Sequence, residues 1–188
     1  MRVWVVRHGE SETNKNGLWT GWLDAPLTEK GREDALLARS VLSGVVFDKI
    51  YSSDLKRAKS TAEIAIPGCE YESTGVIREI DVGSIAGKPL SVIYDGNDRP
   101  LNEDGYGRFG GESKEEFRAR VASFMKRLEE ESFERVAVFC HGGVLRRFLE
   151  IVLGAQPARG AVTCGNCTVA IFDFSHSTWK LHSWINLQ

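Results

Sequence analysis

The sequence predicts a three-layer α/β/α fold built on a mostly parallel sheet, with one antiparallel strand near the C-terminus. Three observations carry that expectation. The runs Val3-Trp4-Val5-Val6 and Val136-Ala137-Val138-Phe139 are continuously apolar and valine-rich, as strands covered on both faces must be. Stretches of helical spacing lie between the strand-like runs, which is what parallel crossovers require. Thr168–Phe174 and Trp179–Trp184 flank Ser175–Thr178, a hairpin signature that supplies the antiparallel strand.

Taken in order, the first strand stops at Arg7-His8-Gly9, where glycine permits a sharp exit. In such sheets ligands sit beyond the carboxyl ends of the strands, so His8 is expected to face a pocket. Ser11 to Pro26 is polar, has no sustained period and reads as a loop. Thr28 caps a helix from about Glu29 to Leu42, with Ala35, Ala38 and Leu42 on one face. Lys49-Ile50-Tyr51 is a short strand, and Ser52-Ser53-Asp54 offers caps for a helix marked by Ala58, Thr61, Ala62 and Ala65 and ended by Pro67-Gly68. Val76-Ile77 and Ile80-Val82 form a short extended piece. From about Gly83 to Gly111 the chain is irregular and rich in glycine, asparagine and aspartate, which reads as a lid or binding segment. Ser113 and Glu116 make a capping box for a helix striped by Phe117, Val121, Phe124 and Leu128. Arg135–Cys140 is a buried strand broken by His141-Gly142-Gly143, and Val144, Leu145, Phe148, Ile151 and Val152 mark the next helix, closed by Gly154.

The 188 residues suit one domain spanning 1–188, with the lid at about 83–111. Hydrophobic residues make up 42% and charged residues 27%, with a net charge of −2. That balance leaves no basic surplus for nucleic acid or an anionic membrane, and the apolar runs are too short to span a bilayer. No secretion signal is read at the start, so a cytoplasmic protein is expected, for which a homodimer stays open. Cys164-Gly165-Asn166-Cys167 has the spacing of a zinc knuckle or redox pair, but nothing completes a metal site. It is expected to be structural.

Two strands thus end in a histidine followed by glycine, and the second opens a helix whose free N–H groups attract anions. Arg57 sits in the first turn after a third strand. If these strands are neighbours, Arg7, Arg57, His8 and His141 converge at one sheet edge. Such a cluster needs an anion, and guanidinium forks match phosphoryl oxygens. Taken alone, either arginine reads better as a surface ion pair. A metal held by His8, His141 and Glu79 is disfavoured, because two arginines beside it would repel a cation.

The ordered set Arg7-His8-Gly9-Glu10-Ser11, Asn14, Gly21-Trp22, Pro26-Leu27-Thr28, Ser52-Ser53-Asp54-Leu55 with Arg57-Ala58, Arg78-Glu79, Gly83, Gly87, Gly110-Gly111-Glu112-Ser113 and His141-Gly142-Gly143 resembles the histidine phosphatase superfamily. That family includes the cofactor-dependent phosphoglycerate mutases. The resemblance implies that His8 is the nucleophile, forming a phosphohistidine, with its other ring nitrogen donating to a backbone carbonyl in the turn. It implies that Arg7, Arg57 and His141 hold the phosphoryl oxygens, helped by Asn14 and the Gly142 backbone. Glu79 would protonate the leaving oxygen and then activate water, with Asp81 as the nearby rival. Thr20 and Gly21 would contact substrate, and Glu10 would be structural. Neither metal nor cofactor is implied.

Within the family, the 61 residues between Glu79 and His141 are fewer than in the mutases, and Val82 stands where a mutase-like tyrosine would be. From Lys88 to Glu112 three basic residues face five acidic ones, Asp95, Asp98, Glu103, Asp104 and Glu112. These departures favour a phosphatase similar to the α-ribazole phosphatases, acting on a small phosphorylated metabolite. An uncharged, ring-bearing body is expected, with Trp19, Trp22, Tyr94, Tyr106 and Phe109 near the mouth either stacking on it or packing the lid. Mutase-type phosphoryl transfer and a non-catalytic phospho-ligand module are the alternatives.

Overall fold

The computed structural model describes residues 1–93, 103–157 and 161–187. Six strands form one sheet in the order β3-β2-β4-β1-β5-β6. They are β1 (Arg2–Arg7), β2 (Lys49–Ser53), β3 (Glu72–Thr74), β4 (Arg135–Cys140), β5 (Val169–Ser175) and β6 (Thr178–Ile185). The pairings β1 with β4, β2 with β4 and β2 with β3 are parallel, and β5 runs antiparallel to both β1 and β6. One strand therefore opposes the rest. The helices are α1 (Glu12–Lys15), α2 (Glu29–Leu42), α3 (Lys56–Ala65), α4 (Lys114–Glu130) and α5 (Gly142–Leu153).

Strand alternation sorts the core into two halves. Val3 and Val5, with Val136 and Val138, pack against Phe117, Val121 and Phe124 of α4 and Leu145 and Phe148 of α5. Trp4 and Val6, with Ala137 and Phe139, pack against Ala35, Ala38 and Leu42 of α2 and Ala62 and Ala65 of α3. The sheet is buried on both faces, which is why its central strands carry no polar alternation. Apolar groups here are stabilising by roughly 25 cal/mol for each Å² removed from water.

The capping predictions hold at two helices. Thr28 accepts from the Gly31 N–H, and Ser113 and Glu116 close a full capping box. Three local expectations are corrected. Ser11 caps the four-residue helix α1 inside the expected loop, a turn too short to show a period. The cap of α3 is Leu55, with no side-chain bond, rather than a residue of 52–54. Ile80–Val82 is not a strand; the extended piece is Glu72–Thr74, beside Tyr51–Ser53, and Gly75–Ile77 is a 3-10 turn.

The described part of the 83–111 segment folds as 3-10 turns at Gly83–Ile85, Leu90–Ile93 and Gly107–Phe109. Val82, Ile85, Ile93 and Tyr106 give it a small core of its own, with Trp19 packed against them. Tyr94, Asp95, Asp98 and Arg99 of the sequence reading lie outside the described residues. Among the described residues no helix is long and apolar enough to cross a membrane.

The exit from β1 is locked to the start of α2 by two glycines. A Cβ on Gly9 would collide with the Gly31 carbonyl, and one on Gly31 with the Glu10 carbonyl. Neither obstacle is a side chain that can swing away. Replacing Gly31 with alanine is therefore expected to lower unfolding free energy by about 2–3 kcal/mol in urea titration. Gly107→Ala, with no heavy atom within 4 Å of the added methyl, should change it by less than about 0.5 kcal/mol.

Candidate active site

The sheet register sets the site. Arg7 pairs with Cys140 across β1 and β4, and Ser52 pairs with Phe139 across β2 and β4. The next residues, His8, His141 and Ser53, therefore emerge side by side at the carboxyl edge. The two imidazoles meet edge to face, with ring centroids 5.1 Å apart. Both rings are buried.

His8 Nδ1 lies 2.6 Å from the Gly9 carbonyl oxygen, so Nδ1 carries the hydrogen and donates it. That leaves the Nε2 lone pair free, and Arg57 Nε donates to it over 3.3 Å. Arg57 is fully buried. Two of its other four N–H donors go to carbonyls, one on Nη1 to Leu23 (2.7 Å) and one on Nη2 to Gly21 (2.8 Å). Burial pulls the guanidinium down to about 10. Burial likewise holds both histidines well below the ordinary value, with the Arg57 and Arg7 charges acting in the same direction. Both rings are neutral near pH 7.

His141 Nε2 shares a 2.8 Å hydrogen bond with the Ser53 hydroxyl. Its Nδ1 and the Arg7 Nε are buried without a partner among the described residues. Gly142, the first residue of α5, leaves space for Arg7; a Cβ there would sit 3.3 Å from Arg7 Nε. Two buried nitrogens of one cluster are thus without a partner among the described residues, beside guanidinium groups that have no carboxylate bridge among those residues.

Glu79 reaches the same cluster from the segment after β3. Its Oε2 accepts from the Gly143 N–H (2.9 Å) and its Oε1 from the Ile80 N–H (2.9 Å). A Cβ at Gly143 would collide with Oε1, so only glycine there admits the carboxylate. The alternatives for Glu79 are otherwise engaged. Asp81 accepts from the Gly83 N–H (2.9 Å), and Arg78 pairs with Asp54 (2.7 Å) while stacking over Trp22. Sequence reading missed the clamp on this segment. Arg120 donates to the carbonyls of Val76, Arg78 and Glu79 and is held by Glu112 at 2.6–2.8 Å.

A cavity of about 400 Å³ lies beside Glu79 and Gly143, and His8, His141, Arg7 and Arg57 are not among its described lining residues. Asn14, Thr20, Gly21, Glu79 and Gly143 line it, together with Trp19 and Tyr106. Thr20 is hydrogen-bonded to Thr13 (2.6 Å), and Gly21, at a φ of +48°, turns its carbonyl to Arg57. Trp22 does not line the cavity; its Nε1 donates to the Glu79 carbonyl (2.8 Å). Glu10 accepts from the Thr28 hydroxyl (2.8 Å), the structural part expected of it. Trp19 and Tyr106 pack edge to face at 5.5 Å, bracing the lid while presenting surface to the cavity. The charge count over 88–112 misses the cavity's cations. They are Lys114 of α4 and Arg146 and Arg147 of α5, one turn beyond Gly142 and Gly143.

Comparison with known proteins identifies the family and the fold. The family model of the histidine phosphatase superfamily (branch 1) matches residues 3–187. A Salmonella choleraesuis protein named as a phosphoglycerate mutase is 30% identical, over 98% of this chain and 90% of its own. A phosphoserine phosphatase variant from Entamoeba histolytica, solved with phosphoserine, superposes with a TM-score of 0.82 at 27% identity, covering 100% of this chain and 98% of that one. An Escherichia coli protein named for alpha-ribazole-5'-P phosphatase activity gives 0.82 at 25% identity, with the same coverage.

The two neutral histidines link the site to stability. Below about pH 6.5 the unfolded chain protonates each ring while the folded chain does not, so the unfolded state binds more protons and stability falls on acidification. The slope is up to about 1.4 kcal/mol per pH unit for each ring. Urea titrations at pH 7, 6 and 5 should show a loss of a few kcal/mol in that window, about halved in His141→Asn. A flat profile would contradict the neutral, buried rings.

Proposed function

The chain belongs to the histidine phosphatase superfamily, branch 1, and on that footing we propose that it hydrolyses small-molecule phosphate monoesters through a phosphohistidine on His8. The observation that carries this reading is the His8 ring. Its Nδ1 hydrogen is committed to the Gly9 carbonyl, and burial keeps Nε2 unprotonated beside Arg57. A nucleophile is thereby aimed into a positively charged, anion-deficient cluster. Mere binding of a phosphate would require no such nitrogen, which argues against a non-catalytic module.

In the first step His8 Nε2 attacks phosphorus and the ester P–O bond breaks, with Glu79 delivering a proton to the departing oxygen. Arg7, Arg57, the Gly142 backbone, Asn14 and His141 Nδ1–H neutralise and hold the phosphoryl oxygens. The Ser53 hydroxyl, donating to His141 Nε2, would keep that hydrogen on Nδ1. In the second step water attacks the phosphohistidine, Glu79 takes its proton, and the N–P bond breaks to release inorganic phosphate. Charge neutralisation comes from this chain's own guanidinium groups, with neither metal nor cofactor assigned a role.

The substrate class follows from the cavity. Lys114, Arg146 and Arg147 face a space whose described lining holds one carboxylate, Glu79. Such a wall favours a second anionic group over the uncharged body expected from the lid alone. The names of two relatives, phosphoglycerate mutase and phosphoserine phosphatase, denote phosphorylated three-carbon acids of this kind. Net hydrolysis rather than transfer is favoured by the short Glu79–His141 interval and by Val82. Four free cysteines among the described residues suit a reducing compartment, and we assign the protein to the cytoplasm.

Two variants test the chemistry. His8→Ala should abolish turnover and the acid-labile, base-stable phosphoryl label trapped from substrate; a label that survives on another residue overturns the nucleophile. Glu79→Gln should slow alkyl phosphates about 100-fold more than p-nitrophenyl phosphate, whose leaving group needs no proton. Equal losses would move the acid role elsewhere. For the substrate class, phosphoserine should be hydrolysed at least about tenfold faster, as kcat/KM, than phosphoethanolamine, which lacks only the carboxylate. Arg146→Glu should erase that preference, and parity in the unsubstituted protein would rule it out.

A further inference from the structure

The Cys164–Cys167 turn, unassigned by the chemistry above, lies against the backs of three proposed site residues. The Arg7 guanidinium donates from Nη1 to the Cys164 carbonyl. The Cys167 N–H and the Asn166 Nδ2 both donate to the His8 carbonyl at 3.2 Å. Asn166 Nδ2 also donates to Asn14 Oδ1 at 3.4 Å. The turn is itself braced. Thr168 Oγ1 lies 2.8 Å from the Gly165 carbonyl and 2.9 Å from Asn186 Oδ1, with one hydrogen shared between them, and Asn186 Oδ1 also accepts from the Gly165 N–H (3.1 Å). Cys167 closes it in the left-handed region, at a φ of +54°.

We propose that Asn166 is a positioning residue that sets the side-chain amide of Asn14, so that a phosphoryl group meets a donor there and not an acceptor. The inference rests on the reading of Asn14 as a phosphoryl contact. An asparagine amide can present either end, and its two orientations differ little in shape. At Asn14 the choice is made by donors behind it. The Ser11 N–H points at Oδ1 over 3.3 Å, as the capping box of α1 requires, and Asn166 Nδ2 points at the same oxygen. The Asn166 amide is oriented in turn by the His8 carbonyl, which can only accept. With Oδ1 occupied twice, Asn14 keeps its Nδ2 hydrogens for the cavity that it lines beside Glu79. A carbonyl oxygen turned that way would repel phosphoryl oxygens in every state of the reaction.

The arrangement also separates two effects that a single substitution would otherwise mix. His8 keeps the Cys167 N–H on its carbonyl when the Asn166 side chain is removed. The loss in Asn166→Leu, which retains bulk without a donor, therefore falls on Asn14. In Asn166→Asp the partner becomes an acceptor, which draws Asn14 Nδ2 backwards and turns Oδ1 to the phosphoryl group.

The test is a double-mutant cycle read in two ways, as the Kd of inorganic phosphate by calorimetry and as kcat/KM for p-nitrophenyl phosphate, with thermal midpoints recorded. Asn14→Ala and Asn166→Leu should each weaken phosphate binding by about three- to tenfold, and the double variant should be no weaker than Asn14→Ala alone. Asn166→Asp should exceed Asn166→Leu, and the difference should shrink in the Asn14→Ala background. Asn166→Ala carries the same cycle if the leucine variant fails to fold. Losses that multiply in the double variant, or an Asn166→Leu protein that binds phosphate and turns over as well as the parent, would overturn the proposal. So would a parent protein that binds no phosphate. Coupled phosphate binding without hydrolysis of any ester would support this inference while overturning the phosphatase reading.

Discussion

A guanidinium with no accessible surface and, among the described residues, no carboxylate bridge is the constraint around which this molecule is built. Arg57 is solvated by two loop carbonyls, Leu23 and Gly21, and by the His8 ring. Leaving a charge so buried is unfavourable by several kcal/mol unless its donors are satisfied. The backbone around it is shaped to that end. Gly21 adopts a positive φ to turn its carbonyl inward, and Thr61, one turn along α3, accepts from the Gly9 N–H while donating to the Arg57 carbonyl. The arginine and the β1 corner are thereby tied to one another. Burial, with the positive potential of Arg57 and Arg7 added to it, keeps both imidazoles neutral, and that potential makes a bound anion the natural complement of the site.

The β1 and β4 corners were legible in the sequence because apolar runs and glycine are strong local signals, and the register then brings His8 and His141 together without further instruction. Thr28 and the Ser113–Glu116 box were legible for the same reason, since caps act over three or four residues. What stayed hidden acts through groups a one-dimensional reading cannot weigh. The Arg120–Glu112 clamp grips three backbone carbonyls. Gly143 matters through its N–H and the hydrogen in place of a Cβ. Asn166 reaches a carbonyl 158 residues away. The cations of the cavity were in plain view as Arg146 and Arg147, yet a count confined to the lid could not see that helical spacing sets them one turn from Gly142 and Gly143. The Cys164–Cys167 spacing carried a signal of its own, but its purpose lies in the turn's backbone rather than its thiols, which burial pushes above the ordinary thiol range.

The described part of the 83–111 segment is joined to the body through packing. Trp19 belongs to the irregular stretch before α2, yet it packs edge to face on Tyr106 and its Nε1 donates to the Leu90 carbonyl (3.2 Å). The small core of Val82, Ile85, Ile93 and Tyr106 is therefore anchored on the segment that also carries Thr20 and Gly21. A wall built in this way is held by dispersion and burial, which tolerate change of side chain better than a hydrogen-bond cradle does.

The Arg120–Glu112 clamp has a consequence for how such a site diversifies. The proposed nucleophile His8 and its neighbour His141 follow directly on the central strands and are woven into the main core, where substitution is punished by loss of folding. Glu79 is carried on a segment pinned from outside by Arg120 of α4, with its partner Glu112, and by the Arg78–Asp54 pair, and the Trp19–Tyr106 wall of the cavity is carried on others. Drift in either of these can retune which alcohol departs, or how readily, while the phosphoryl half stays intact. A lineage can thus exchange substrates by small steps without passing through an inactive ancestor.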